Sequence, residues 1–434
     1  MSSTNGVLLV IGSGLQLYRG YLMSSAAERA RAAGHDLWLL NGTKPTWQQQ
    51  YIAGSNVLNV FDHDKLIATA REVAGQRPVV GVIGWDEPLV IPTARIADML
   101  GVPGLSLDGV YGVRDKHRCR RLLTEAGLPQ PKFGMAANAA QARAVAAGIG
   151  YPVVVKPRAL GASIGVSLAA DEAALDAAFR VAEDAGFVGD EPFHGGALIE
   201  QYVDAPEISI DAAAFKGEYL PMYVARKSVG MFPYFEELSH VVDATDPLLE
   251  DAELMDVLAT AHRVLGVEYG ITHSEVKLTD RGPLIVEING RPGGDLIPYV
   301  GLLATGIDPG KVFVDVETGV RPDVTPQHAR TVGIRFGYPP HNLVVESITV
   351  PAREEQPGLL QAEVLVENGT ELRLPPGGYI ARHSFVICEA DDAATCTQRL
   401  EDAIANVRLQ GRQVAPPPAG TPFKMPDGLL DVDD

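Results

Sequence analysis

The chain has 434 residues, 46% of them hydrophobic, a formal net charge of −19 and three cysteines. That length exceeds one ordinary core, so about two to four packed units are expected, and the acidic balance with no basic run excludes a nucleic-acid or anionic-membrane surface. Cys119, Cys388 and Cys396 show no Cys-x-x-Cys spacing, which suits packing residues in a reducing cytosol, and no apolar stretch is long enough for a signal peptide or membrane span, so a cytoplasmic protein is expected.

Val7 to Ile11, Asp36 to Leu40 and Val79 to Ile83 read as buried parallel strands, with Gly20 to Ala33 and Asp64 to Ala74 as helical crossovers, which predicts an open parallel α/β domain. Gly12-Ser-Gly14 begins a dinucleotide fingerprint, but Leu17 stands where the third glycine belongs, so an ordinary strand-to-helix turn is expected. Asp115 to Ala126 is a basic helix stopped by Gly127, Pro129 and Pro131. On it Arg118, Arg120 and Arg121 read as a solvated face, and Lys116 alone reads the same way. Tyr151 to Lys156 is an apolar strand that delivers Lys156 into a loop of small residues. Ala197 to Val203 and Ile208 to Phe215 are further strands, and Asp251 to Leu265 is a long helix. After about residue 330, strands at Val332 to Phe336, Leu343 to Val350, Glu363 to Val366 and Ala381 to Cys388, with one helix over Asp391 to Arg408, predict a separate small α+β unit. The tail from Pro416 is Pro-rich, then acidic, and is expected to be poorly ordered.

The chemistry concentrates between Gly270 and Asp295. Two alternating apolar runs joined by Thr-Asp-Arg-Gly read as a β-hairpin that brings Glu275 and Glu287 together. Buried carboxylates side by side repel, and become tolerable around a divalent cation. Glu275, Glu287 and the Asn289 amide are hard oxygen ligands suited to Mg²⁺, with Mn²⁺ the alternative, held jointly with phosphates. Arg291 faces the negative charge forming at that metal, or pairs with a neighbour such as Asp295 and holds the turn. Lys156 followed by Gly161-Ala162-Ser163-Ile-Gly165 offers a fixed ammonium and unhindered backbone N–H groups to phosphates, although alone it is a plain glycine-rich turn and no Walker loop. Glu200-Gln201-Tyr-Val203 can present backbone groups to an adenine edge, with Glu200 accepting from the exocyclic amine and Glu207 reaching ribose hydroxyls. Taken alone, the two glutamates read as surface residues flanking a turn. His273 shares a strand face with Glu275 and reads as support for that ligand.

Helix lysine, strand lysine, glycine loop, Glu-x-x-Val segment, Glu, then Glu…Glu-x-Asn-x-Arg: this succession resembles the ATP-grasp superfamily over roughly residues 110 to 325, and the α/β unit before it is similar to the domain that normally precedes the grasp. The resemblance implies an N-terminal α/β domain (1–110), a lid subdomain (111–195), a central subdomain with the metal site (196–330), a C-terminal α+β subdomain (331–415) and a tail (416–434). It implies that Lys116 and Lys156 bind the α- and β-phosphates of ATP, that Gly161, Ala162, Ser163 and Gly165 form a flexible lid, that Glu200, Gln201 and Val203 hold adenine and Glu207 ribose, and that Glu275, Glu287 and Asn289 ligate Mg²⁺.

Phe235-Glu-Glu-Leu-Ser-His240 is similar to the F-x-E-x-G-H segment of the amino-acid ligase branch, which includes bacilysin-type dipeptide synthetases and carnosine synthases. His273-Ser-Glu275 and the run from Asn289 to Asp295 resemble the same branch. Ser239 stands where glycine is usual, and Asp243-Ala-Thr replaces Pro-Ser, which bears on the pose of His240. The implied activity is ATP-dependent amide formation between an amino acid and a second amine-bearing substrate, through an acyl phosphate, with release of ADP and phosphate. Arg291 would stabilise the tetrahedral oxyanion. His240 would position a substrate carboxylate or remove the amine proton, unless it is a satisfied loop histidine. Amino acids or short peptides are the expected partners, a homodimer is allowed, and the C-terminal unit is expected to close the site. Rival readings are an ATP-grasp carboxylase, a ligase loading an amino acid onto a carrier protein and, from another class, a non-catalytic nucleotide-binding protein, which would not need the Glu275, Glu287, Asn289 and Arg291 set.

Overall fold

The computed structural model describes residues 6–186 and 193–417. The first unit is built from β1 (Val7–Ile11), α1 (Gln16–Ala32), β2 (Asp36–Asn41), β3 (Ile52–Val57), α2 (His63–Gln76) and β4 (Val79–Ile83), followed by α3 (Val90–Leu100) and α4 (Leu107–Arg114). Its strands pair in parallel in the order β3-β2-β1-β4. Every residue of β1 is fully buried, because a parallel strand covered on both faces has no polar side. The edge strand β3 was not expected: its Ala-Gly-Ser-Asn centre carries little strand propensity. Helices α3 and α4 were also missed, and α4 presses against the loop after the later helix α8. A Cβ on Gly109 would lie 2.6 Å from the Gly266 carbonyl oxygen, so only glycine permits that approach.

The next unit contains α5 (Lys116–Glu125), β5 (Phe133–Ala136), α6 (Ala139–Ile149), β6 (Val153–Lys156), β7 (Ser167–Ala169), α7 (Glu172–Gly186) and β8 (Ala197–Gln201). Helix α5 starts where Asp115 accepts from the His117 and Arg118 backbone N–H groups, an N-cap that satisfies two otherwise unpaired donors. The strands form an antiparallel sheet in the order β5-β8-β6-β7, with the apolar sides of α6 and α7 in its core.

The central unit runs β9 (Glu207–Phe215), β10 (Glu218–Gly230), β11 (Glu236–Asp243), α8 (Ala252–Leu265), β12 (Tyr269–Thr279), β13 (Gly282–Asn289), α9 (Ile297–Thr305) and α10 (Pro309–Glu317). It is followed by β14 (Thr331–Gly337), β15 (Leu343–Thr349), β16 (Leu359–Val364), β17 (Glu371–Leu372), β18 (Ser384–Ala390), α11 (Ala393–Ala405) and β19 (Arg408–Gln413). The expected boundary at residues 330 and 331 is not a break in the sheet. Strand β14 pairs antiparallel with β11, and an eight-stranded sheet runs β13-β12-β9-β10-β11-β14-β18-β16. Among the described residues after β14, β17-β15-β19 forms a small sheet apart. The last helix ends at Ala405 and β19 follows, where a helix to Arg408 was expected. Residues 418–434, most of the expected tail, lie outside the described residues, as do 187–192 of the expected lid unit.

One apolar cluster ties the first unit to the central and C-terminal strands: Leu8 and Val10 from β1, Phe313 from α10, Tyr223 from β10 and Phe385 from β18 all belong to it. The three cysteines are buried free thiols. Among the described residues, no helix is long and apolar enough to cross a membrane.

Candidate nucleotide and metal site

The hairpin forms as its sequence predicts, with Asp280 and Arg281 at the tip between β12 and β13. Register places Glu275 opposite Glu287 and His273 opposite Asn289, and side chains two apart on a strand share a face. The small sheet β5-β8-β6-β7 and the eight-stranded sheet both contribute to a cleft of about 960 Å³, counted out to its open mouth. Lys116, Lys156, Gly161, Ala162, Ser163, Glu200, Gln201, Val203, Glu207, Glu275, Glu287, Asn289 and Arg291 all line it. Gly165 and His240 do not. The backbone of Gly165, at φ +76°, packs so closely on helix α7 that a Cβ there would meet the Ala185 methyl at 2.5 Å.

At one end of the cleft the Glu200 carboxylate is held by two cations. Arg120 Nε donates to its Oε1 at 2.6 Å, and Lys156 Nζ lies 2.7 Å from Oε2. Burial pushes the Glu200 carboxyl up, but Arg120 and Lys156 outweigh it and hold it at about 2. Both oxygens already have cationic donors, so the expected acceptance from adenine would share the carboxylate with Arg120 and Lys156. Arg120, expected on a solvated face, is 3% exposed and also donates to the Ile285 and Val286 carbonyls of β13 at 2.6 and 2.7 Å. Lys116, Cys119, Arg120 and Leu123 are the buried residues of α5. Their i, i+3, i+4, i+7 spacing marks one helix face, and that spacing was the available signal for Arg120. The rest of the expectation holds for Arg118 and Arg121, which are more open to solvent.

At the hairpin, each carboxylate expected at the cation carries an ammonium. Lys116 Nζ donates to Glu287 Oε1 at 2.7 Å and to the Leu160 carbonyl at 2.6 Å. Lys227 Nζ lies 3.3 Å from Glu275 Oε1 and 2.8 Å from both Glu207 and Glu237. Burial alone would pull the Lys227 ammonium down; Glu207, Glu237 and Glu275 more than reverse this and keep it charged. Lys227 was not anticipated. Its only trace in the sequence is a lysine two residues after Met222 to Ala225, a run of β10 buried on both faces. Behind Glu275, His273 bridges Asp211 at 2.6 Å and Glu275 at 3.5 Å. Burial lowers the imidazole pKa, but the two carboxylates win and raise it to about 9. Asp211 in turn accepts from Tyr223 Oη and the Gly293 N–H, so the support expected of His273 is a chain reaching into the core.

Arg291 pairs with Glu87, from the segment after β4, and donates to the Pro292 carbonyl at 2.8 Å. Burial works against the Glu87 charge, yet Arg291 and Arg114 hold that carboxyl at about 2. Asp295, the neighbour first considered for Arg291, belongs to another set. Arg382 Nη2 donates to Asp295 Oδ2 at 2.7 Å, and His240 Nε2 lies 3.1 Å from both Asp295 and Glu237. The Arg382 guanidinium also sits 3.9 Å from the Phe336 ring centre and donates to Tyr338 Oη. Asp295 and Leu296 hold φ near +58° and +59°, a left-handed conformation that ordinary residues adopt at a cost. His240 is fully buried. Burial disfavours its charge, but hydrogen bonds to Asp295 and Glu237 raise its pKa above the ordinary value. The donor atoms of Glu237, His240 and Asp295 lie within 4.8 Å of one another, with Lys227 and Arg382 already against them.

Residues 149–298 match the family described as "ATP-grasp domain", and residues 27–104 match "ATP-grasp N-terminal domain". The chain belongs to the ATP-grasp superfamily. Among curated proteins, this ATP-grasp chain is 27% identical over 337 residues to the alanine–anticapsin ligase of Bacillus subtilis, a match covering 67% of this chain and 69% of that one. It is 31% identical over 218 residues to the carbamoyl phosphate synthase large chain of Streptomyces coelicolor, covering 48% of this chain and 19% of the other. Among solved structures, the L-amino acid ligase from Bacillus licheniformis shares its fold, with a TM-score of 0.75, 20% identity and coverage of 95% of this chain and 100% of that one. The expected fold is thus present: a parallel α/β unit, the ATP-grasp core and a mixed α+β C-terminal region.

Proposed function

We propose that this ATP-grasp chain is an ATP-dependent carboxylate–amine ligase that joins an amino acid to a second amine-bearing substrate through an acyl phosphate, releasing ADP and phosphate. The observation that carries this reading is the convergence on one cleft of Lys116, Lys156, the 161–163 loop, the Glu275/Glu287/Asn289 face and Arg291. Two carboxylates and a carboxamide form an all-oxygen donor set that fits Mg²⁺. When bound there, Mg²⁺ would neutralise charge on the transferring phosphoryl group.

A carboxylate is a poor electrophile, and phosphorylation by ATP gives it a leaving group. Lys156, fixed on Glu200, and Lys116, reaching past Leu160, would meet the phosphates. Backbone N–H groups of Gly161, Ala162 and Ser163 would close over them. With the Glu200 carboxylate engaged by Arg120, the main chain of Gln201 to Val203 is left to meet the adenine edge, and Glu207 the ribose. When the amine attacks, the carbonyl oxygen becomes an oxyanion, and Arg291, held from behind by Glu87, would stabilise it. Hydrogen bonds to Asp295 and Glu237 favour the protonated imidazole of His240 and so weaken it as a proton acceptor. Its role here is to fix Glu237 and Asp295, and Glu237, which lines the cleft, is placed to meet an ammonium group. Arg382 and Tyr338 from the C-terminal region brace that wall from behind, both donating to the Glu237 carbonyl.

The test is incubation with ATP, Mg²⁺ and pairs of amino acids, with mass spectrometry of condensed products beside ADP and phosphate release. Glu275→Gln and Glu287→Gln should each reduce turnover by more than about a hundredfold, since even partners behind a metal ligand are worth 10–100-fold, with melting temperatures near that of the parent. Stoichiometric AMP and pyrophosphate, or a double variant with undiminished turnover, would remove the assignment.

A further inference from the structure

Lys227 is 1% exposed and has a carboxylate oxygen within about 3.3 Å on three sides, from Glu207 of β9, Glu237 of β11 and Glu275 of β12. An ammonium has three N–H donors and no acceptor, so each donor has one acid to meet. On the reading above these acids serve different ligands: Glu207 the ribose, Glu275 the cation and Glu237 the amino-acid substrate. Lys116 holds Glu287 in the same way, and Lys277 adds a second ammonium to Glu207 at 3.1 Å. Four carboxylates therefore share three ammonium groups and carry one net negative charge among them. The adjoining Asp295 does not make the set more negative, because the Arg382 guanidinium is paired with it.

A divalent cation entering alone would turn this nearly balanced set net positive. Entering with a polyphosphate it would not, because the nucleotide brings more negative charge than the ion neutralises. We propose that Lys227 is a positioning residue that enforces this order: its ammonium occupies Glu275, weakens that carboxylate as a ligand for a free divalent ion, and so makes metal binding depend on nucleotide. The same ammonium holds Glu207 and Glu237 at a fixed separation, so the ribose, metal and substrate contacts are in register before any ligand enters. Lys116 can serve the matching role at Glu287 only until phosphates draw it away, whereas Lys227 has no exposed side and three anchors.

This inference rests on the metal reading above, and the two fail differently. Mn²⁺ is the probe, with free ion measured by electron paramagnetic resonance, with and without a non-hydrolysable ATP analogue. The parent protein should bind Mn²⁺ weakly alone and tightly with the analogue. A parent that binds Mn²⁺ no better with the analogue overturns the metal site itself, before any variant is made. Lys227→Met should bind Mn²⁺ alone about tenfold tighter than the parent, because one unit charge beside a ligand oxygen has been removed, and should bind the analogue more weakly. Lys227→Arg keeps the charge and should behave as the parent does. A bridge that only holds the structure would give the opposite sign, since loosening Glu275 weakens Mn²⁺ binding with and without nucleotide. Unchanged or weaker Mn²⁺ binding by Lys227→Met, with a cooperative melting transition, overturns the proposal. Should that variant not melt cooperatively, Lys227→Gln, which removes the charge and keeps two donors, is read by the same criteria.

Discussion

Around Glu200 one carboxylate is held by two cations, Arg120 and Lys156; around Lys227 one cation is held by three carboxylates, Glu207, Glu237 and Glu275. Glu200, Arg120 and Lys156 are buried and line the cleft, whereas Lys227, its side chain 1% exposed, lies behind the cleft wall and its three partly exposed acids line it. The ingredients are alike and the net signs opposite, so the cleft is polarised: positive where anionic phosphates would lie, negative where a metal ion and an ammonium would lie. Local pairing has set this polarity, and the formal charge of −19 gives no hint of it.

The comparison is broken most readily at Glu200. Its replacement by alanine leaves Arg120 and Lys156 buried without their anion, and removing one partner of such a set costs about 3–5 kcal/mol. Denaturant unfolding should record a loss of that size. A loss below about 1 kcal/mol would put the pair in the range of exposed ion pairs and remove the contrast with Lys227.

A smaller effect is expected at Arg291, which lies between the two ends. Arg291→Ala should reduce amide formation by about 2–4 kcal/mol in the barrier, as for loss of an oxyanion donor, with ATP affinity near that of the parent. Glu87→Gln separates this role from anchoring: it removes the charge of the carboxylate behind Arg291 and keeps the guanidinium. Product formation retained in Glu87→Gln and lost in Arg291→Ala supports the catalytic role. Parallel losses of product, ATP binding and melting temperature in both variants would make Arg291 a tie between the N-terminal unit and the hairpin.

Glu317 supplies a third case, a buried carboxylate with neither kind of company. Its Oε2 has no hydrogen-bond partner among the described residues, and burial pushes its pKa well above the ordinary 4.5. The folded chain therefore keeps a proton that the unfolded chain releases above about pH 4.5. The contribution of this group to stability is complete below that pH and falls as pH rises toward the folded pKa. Glu317→Gln should accordingly stabilise the protein by about 1 kcal/mol or more at pH 8, the equivalent of one pKa unit, and by little at pH 4. Melting curves at the two values would show it, and an equal effect at both would mean that the carboxylate has a partner after all.

The sequence made the hairpin legible because its signals are local: alternation on two strands, a two-residue turn, and acids at matching distances from that turn. The apolar runs of β1, β2 and β4 are legible for the same reason. Arg120 was half legible, since its spacing from Lys116 puts both on one helical face, while its basic neighbours suggested solvent. Lys227 was not, because a single lysine within a strand has no distinguishing pattern until the acids of three other strands are placed around it. Arg382 and Asp295 are separated by 87 positions, and the pairing of β14 with β11 joins segments on either side of the whole metal hairpin. Contacts of that range leave no periodic trace in either segment, and the same is true of Glu87 behind Arg291.

The continuity of the large sheet past residue 330 also bears on how the chain is made. The parallel sheet is complete once Ile83 has been synthesised, whereas strand β11 presents an unpaired edge until β14 arrives and the far side of the sheet waits for β18 and Ala390. An open edge is a template for any passing strand, and pairings of such long range form slowly. For much of its synthesis, then, the half of the molecule that carries the cleft is the half exposed to misassociation, and the strands that close its edge also bring in Tyr338 and Arg382.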